Sequence, residues 1–146
     1  MKQHVLVIDD NTLLMRIISR ILMANGYTVT TANSGDEAFS FLKLHRFDLA
    51  LCDLHMDGKD GFAVLAACKA MQPKTKVILS SGDIVYETID MAFKCGADSF
   101  LAKPFLASEL LHQVSLCLGP EHQEILGEIG LPANALQFVG LEECFG

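Results

Sequence analysis

Three apolar runs in this chain end abruptly in charge. Val5, Leu6, Val7 and Ile8 run into Asp9 and Asp10; Leu49, Ala50, Leu51 and Cys52 run into Asp53; Phe100, Leu101 and Ala102 run into Lys103 and Pro104. Short continuous apolar runs suit strands buried on both faces of a parallel sheet, where functional groups gather beyond the carboxyl ends of the strands. With strands one, three and five as neighbours at the switch in strand order, Asp9, Asp10, Asp53 and Lys103 share one cleft. Three close carboxylates repel, so the site must raise at least one pKa or take up a cation. An all-oxygen set with open positions suits Mg²⁺, which keeps several waters and accepts a phosphoryl oxygen as a further ligand. Lys103 adds a point charge for the same phosphoryl, and Ser81, at the end of a fourth apolar run, adds a hydrogen-bond donor. Such a set fits phosphoryl transfer to a carboxylate.

Each residue alone has a plainer reading. Asp9 and Asp10 could simply favour a helix dipole, Asp53 could be a turn residue, and Lys103 a solvated charge. Either Ser80 or Ser81 could satisfy backbone groups at a strand end. Joint placement at successive strand ends is what argues for a site. Ser81 is preferred to Ser80 because it directly precedes the turn residue Gly82.

The elements that must hold these residues alternate in type. Residues 5–8 read as the first strand, followed by a helix carrying Leu13, Leu14, Ile17, Ile18, Ile21 and Leu22 at helical spacing and stopped by Gly26 in the left-handed position. Residues 27–32 form a second strand, Ser34 caps a helix to about residue 44, and 47–52 form the third strand. The Asp- and Gly-rich loop 54–61 leads to a helix over 62–71, ended by Gln72 and Pro73, and then to a strand over 77–80. A helix over 84–94 stops at Gly96, 99–102 form the fifth strand, and Ser108 is positioned to cap a last helix through Leu118. Five strand-helix units in a row predict a doubly wound α/β fold with a five-stranded parallel sheet of flavodoxin-like (βα)5 type.

The 146-residue chain is 51% hydrophobic and 20% charged, ordinary values for a folded domain. A domain over 1–118 with a short C-terminal extension over 119–146 is expected. That extension is apolar (Ile125, Leu126, Ile129, Leu131, Leu136, Phe138) and too small to fold alone; packing on the domain, pairing with another copy, or leading into a longer region are its options. A net charge of -7 disfavours direct nucleic acid binding. Five cysteines without close pairing and no secretory signal point to a reduced, cytoplasmic setting, with Cys52, Cys68, Cys95 and Cys117 as core filler. No apolar stretch reaches the roughly 20 residues that span a bilayer, so no membrane role is expected. His4, His45, His112 and His122 lack ligand spacing and read as surface or structural.

The ordered set Asp9-Asp10, Asp53, the 56–61 loop ending in Asp60-Gly61, Ser81, Phe100 and Lys103-Pro104 resembles the response regulator receiver domain of bacterial two-component signalling, over residues 2–118. The resemblance implies that Asp53 is the phosphoacceptor, taking a phosphoryl group from a phosphohistidine of a sensor histidine kinase or phosphotransfer protein. It implies that Asp10 and Asp53 bind Mg²⁺ directly, with the backbone carbonyl of His55 as a third ligand and Asp9 acting through water. Lys103 would pair with the phosphoryl, Ser81 would move toward it, and Phe100 would swing inward, changing the face of the last two units for a downstream protein, a fused output domain or a second copy.

Four positions stand out against that pattern. Asp57 stands where the family usually has Pro, and Phe100 where it often has Tyr. His55 and Asp83 fall at positions that line the path of attacking water and so tune phosphoryl lifetime. Other classes fit less well. Asp53, His55 and Gly58 match D-x-H-x-x-G of cobalamin-binding domains, but that motif follows the first strand there. A haloacid-dehalogenase-type phosphatase needs a second Asp where His55 stands. A pseudo-receiver that docks partners without phosphorylation commonly lacks an acidic residue or the Lys, and none is missing here.

Overall fold

The structure, a computed structural model, describes residues 2–56 and 60–119. Ten elements alternate along the described chain: β1 (His4–Ile8), α1 (Thr12–Ala24), β2 (Thr28–Ala32), α2 (Gly35–Leu44), β3 (Leu49–Asp53), α3 (Gly61–Met71), β4 (Lys76–Ser81), α4 (Tyr86–Lys94), β5 (Ser99–Ala102) and α5 (Ala107–Leu118). All strand pairings are parallel, in the order β2-β1-β3-β4-β5. This is the expected doubly wound sheet, with one correction. Strands one and three are neighbours, but β4 lies between β3 and β5, so Lys103 must reach past a strand to meet Asp53.

Alternation along the strands makes two cores. Val5, Val7, Leu49, Leu51, Ile78 and Leu101 pack with Leu14, Ile18 and Leu22 of α1 and Leu110 and Val114 of α5. Leu6, Ile8, Ala50, Cys52, Val77 and Leu79 pack with Ala38 and Leu42 of α2, Val64, Leu65 and Cys68 of α3, and Ala92 of α4. Strands covered on both faces are apolar at every position, which is why β1 and β3 read as unbroken runs. α4 is the least anchored helix, with Ala92 its one buried residue. Ile84, Val85, Tyr86, Met91 and Phe93 on and before it are exposed.

Local chemistry sets most boundaries. The Asn11 side chain accepts the Leu14 N–H at 3.1 Å to start α1, and Gly26 takes φ 93° after it. Ser34 accepts the Glu37 N–H at 3.1 Å, as its type and place predict. The last helix differs from expectation. Ser108 lies inside it, Leu106 is the N-cap, and the Glu109 carboxylate accepts the Leu106 N–H at 2.8 Å. α4 likewise starts at Tyr86 rather than residue 84.

Cys52 and Cys68 are buried as expected and Cys117, half-buried, packs against the core edge; Cys95 is exposed and so is not core filler. These four are free thiols, and Cys144 lies outside the described residues. The expectations for Asp57, Gly58, His122 and the 120–146 segment also lie outside them. No helix among the described residues is long and apolar enough to cross a membrane.

Candidate functional site

β1 and β3 are adjacent and in register, Ile8 beside Cys52, so the residues that follow, Asp9 and Asp53, emerge side by side at the carboxyl edge. The connections from β1 and β3 leave in opposite directions across the sheet, opening the crevice in which such folds hold ligands. Asp9, Asp10 and Asp53 each place a carboxylate oxygen within 4.8 Å of the others. Asp9 and Asp53 are buried, and Asp10 is exposed. One Asp9 oxygen accepts the Asn11 N–H at 2.9 Å, which fixes that carboxylate at the start of α1.

Lys103, carried in beyond β5, bridges two of the three. Its Nζ lies 3.0 Å from Asp9 Oδ2 and 3.2 Å from Asp53 Oδ1. One ammonium against three carboxylates leaves the cluster short of positive charge. Burial holds the Asp53 carboxyl above its ordinary range; Lys103 pulls it down, Asp9 and Asp10 push it up, and burial prevails. The expected consequence of crowding is thus present, with desolvation rather than repulsion as its first cause. An all-oxygen cluster of this size, open to solvent at Asp10, suits a hard divalent cation such as Mg²⁺.

β4 supplies the remaining groups. The Ser80 hydroxyl donates to the Leu101 carbonyl at 2.8 Å and is thereby occupied within the sheet. Ser81 is fully buried, and its Oγ accepts the Asp83 N–H at 2.9 Å. The Lys103 N–H donates to the Ser81 carbonyl at 2.9 Å, tying these two residues together through the backbone. Phe100, half-buried, packs against the α2–α4 side. His55 and Asp83 face each other at 4.0 Å, both exposed, at the mouth of the site.

Two contributors carried weak sequence signals. Gly61 opens α3 against the site strand. A Cβ there would lie 2.7 Å from the Asp53 carbonyl oxygen and 2.7 Å from Leu54 Cα, so only glycine lets α3 approach. Gln72 does more than terminate α3. Its Oε1 accepts the Phe47 N–H at 3.0 Å and the Thr75 hydroxyl at 2.9 Å, and its Nε2 donates to the carbonyls of Leu42 at 2.9 Å and His45 at 2.6 Å. It stitches α2, β3 and α3 together at the end of the sheet away from the carboxylates.

Comparison with known proteins agrees with this geometry. Residues 5–115 match the family model described as the response regulator receiver domain. The transcriptional regulatory protein ZraR of Escherichia coli strain K12 is 35% identical over 118 residues, which cover 81% of this chain and 27% of that protein. The probable histidine kinase 4 of Oryza sativa is 29% identical, with 81% of this chain matched to 14% of that protein. The chain therefore spans under a third of the length of these two relatives. Among solved structures, a CheY-like receiver domain protein from Methanospirillum hungatei superposes with a TM-score of 0.77 at 25% identity, covering 88% of this chain and 99% of that one. A response regulator from Burkholderia pseudomallei, described with a phosphorylated aspartic acid, calcium ion and citrate, gives 0.73 at 29% identity, covering 88% and 74%. With the acidic cleft at the β1–β3 switch and a family match over most of its length, this chain belongs to the response regulator receiver domain family.

Proposed function

We propose that Asp53 is the phosphoacceptor of a two-component pathway, receiving its phosphoryl group from a phosphohistidine of a histidine kinase or phosphotransfer protein. The observation that carries this reading is the position of the Asp53 carboxylate, 3.2 Å from Lys103 and clustered with Asp9 and Asp10. The Burkholderia relative described with a phosphorylated aspartic acid and a calcium ion supports it by likeness.

In the transfer, an Asp53 carboxylate oxygen attacks phosphorus while the P–N bond to the donor imidazole breaks, its electron pair returning to the ring nitrogen. Asp10, Asp53 and the His55 backbone carbonyl would hold Mg²⁺, with Asp9 acting through water. Held there, the ion would supply positive charge to offset carboxylates and phosphoryl together. Lys103 leaves its bridge between Asp9 and Asp53 to pair with a phosphoryl oxygen. Ser81 accepts a hydrogen bond from Asp83 and keeps its own O–H to donate to the phosphoryl. Movement of Ser81 and Phe100 then alters α4, β5 and α5, where exposed Tyr86, Met91 and Phe93 offer apolar contact to a partner protein or output domain. The chain loads and clears its own acyl phosphate; His55 and Asp83 at the mouth tune the clearance.

The test is incubation of the 146-residue chain with Mg²⁺ and acetyl phosphate, read by intact mass. One phosphoryl group is expected on the wild type, none on Asp53→Asn, and none after chelation of the metal. An unmodified wild type, or an equal adduct on Asp53→Asn, refutes the reading.

A further inference from the structure

The amino end of the sheet carries a second charged feature, opposite in sign to the carboxylate site. A cleft of about 450 Å³ opens there between the end of α2 and the α3–β4 turn, lined by residues 42–46 and 71–75. Its charged side chains are Lys43, Arg46 and Lys74, with His45 beside them, and no carboxylate lines it. All four are exposed, and no carboxylate among the described residues pairs with the three permanent cations. By contrast Lys69 and Lys76, on the same rim, are spent on Asp98 at 2.9 and 4.0 Å. Exposed Leu44 and Met71 give the cleft an apolar edge.

The sequence supplies a complement. Of 18 acidic residues in the chain, five (Glu121, Glu124, Glu128, Glu142 and Glu143) follow Gly119, and none of the 11 Lys and Arg does. Between these glutamates lie Ile125, Leu126, Ile129 and Leu131. The segment also departs from the right end of the molecule. α5 finishes against the amino ends of β4 and β5, where Leu116 and Cys117 share a groove with Lys76 and Asp98. Lys76 is the next residue after Thr75, which lines the basic cleft. About 3.3 Å per extended residue lets a dozen residues cover roughly 40 Å. Tethering raises the effective concentration to about millimolar, so individually weak exposed ion pairs suffice for docking.

From this complementarity we infer that the acidic, apolar segment 120–146 docks in the Lys43–Arg46–Lys74 cleft of its own chain. The docking is electrostatic in register and apolar at the Leu44–Met71 edge, and it lies at the end of the sheet remote from Asp53.

Zero-length carbodiimide coupling of the full chain, at low protein concentration and low salt, tests this by joining Lys amines to Glu carboxylates in contact. Mixed ¹⁴N and ¹⁵N chains separate links within a chain from links between chains. Expected are intrachain links from Lys43 or Lys74 to Glu121, Glu124 or Glu128, lost near 1 M salt, where screening falls to about 3 Å. Links to Lys2 or Lys94 instead, interchain links only, or no link to Lys43 and Lys74 would each overturn the assignment. A second readout is hydrogen exchange in the full-length variant Glu121→Lys, Glu124→Lys, Glu128→Lys, which leaves the domain's own residues intact. Exchange over 42–46 and 71–75 should rise at least threefold; unchanged exchange there overturns the inference as well.

Discussion

Replacing Gly61 by alanine sets two physical effects against each other. Alanine is the better helix former by about 1 kcal/mol in a helix interior, and by less at a first helical residue such as this one. Propensity alone therefore predicts a slight gain in stability. Packing predicts the reverse, because the new Cβ meets backbone on two sides, the Asp53 carbonyl oxygen and Leu54 Cα, both at 2.7 Å. Neither atom is the end of a flexible side chain. Asp53 ends β3, which is buried at every position and hydrogen-bonded to β1 and β4, and Leu54 follows it directly, its N–H donating to the Ser80 carbonyl at 2.8 Å. Relief must come from backing α3 away, and overpacking of this kind costs about 1–3 kcal/mol. The net expectation for Gly61→Ala is a loss of about 1–2 kcal/mol, or roughly 3–8 °C in Tm for a domain of this size. Urea denaturation followed by circular dichroism measures it. Gly82→Ala is the control, since Gly82 is exposed and a Cβ there has nothing within 4 Å, so its effect should stay within about 0.5 kcal/mol. Because the crowded atom is Asp53's own carbonyl, labelling by acetyl phosphate should also slow, by about tenfold. A Gly61→Ala variant as stable as the wild type would refute the packing argument.

The remaining predictions concern the charges of the site. Folded Asp53 holds its proton more tightly than the unfolded chain does, so its contribution to stability is full below the ordinary carboxylate range and lost as pH rises through its folded value. Asp53→Asn should accordingly gain stability relative to wild type between pH of about 4 and neutrality in metal-free buffer; a difference that runs the other way contradicts the assigned cause. Lys103→Met removes the ammonium bridging Asp9 and Asp53, leaving two buried carboxylates without it. A loss of about 2–3 kcal/mol at pH 7, largely recovered on acidification, is expected from urea melts at both pH values; a pH-independent loss would mean that the side chain matters through packing alone.

Fold class and candidate site were legible because burial and chemistry left the same mark. β1 and β3 are covered on both faces, so their residues are apolar without interruption, and the first charge after each run marks the carboxyl edge. What was missed depends on neighbours that are distant in sequence. No local pattern says that β4 sits between β3 and β5, since strand order is set by which crossover passes over which face. Ser108 has the right chemistry for a cap, yet Glu109 satisfies the Leu106 N–H and the helix starts earlier. Cys95 looks like its buried counterparts in composition, but α4 buries little besides Ala92. Gln72 could be read only as a helix end, because its four partners come from Leu42, His45, Phe47 and Thr75. Gly61 could be recognised as part of a motif, but its reason, contact with the Asp53 carbonyl, exists only in three dimensions.

The distribution of charge around Asp53 also gives the proposed switch a direction. Phosphorylation replaces a single negative charge by roughly two and adds three acceptor oxygens. On the β1 side, Asp9 and Asp10 can only repel that charge without a cation between them. On the β4–β5 side, Lys103 and Ser81 can move toward it, and the 2.9 Å bond from the Lys103 N–H to the Ser81 carbonyl couples their backbones. Attraction therefore acts on one half of the sheet and repulsion on the other. The responsive half is the one beside α4, the helix with the least buried anchorage and the most exposed apolar surface. A small displacement of α4 costs little packing, whereas the same displacement at β1 would disturb two cores at once. The weakly held helix thus lies next to the residues proposed to move.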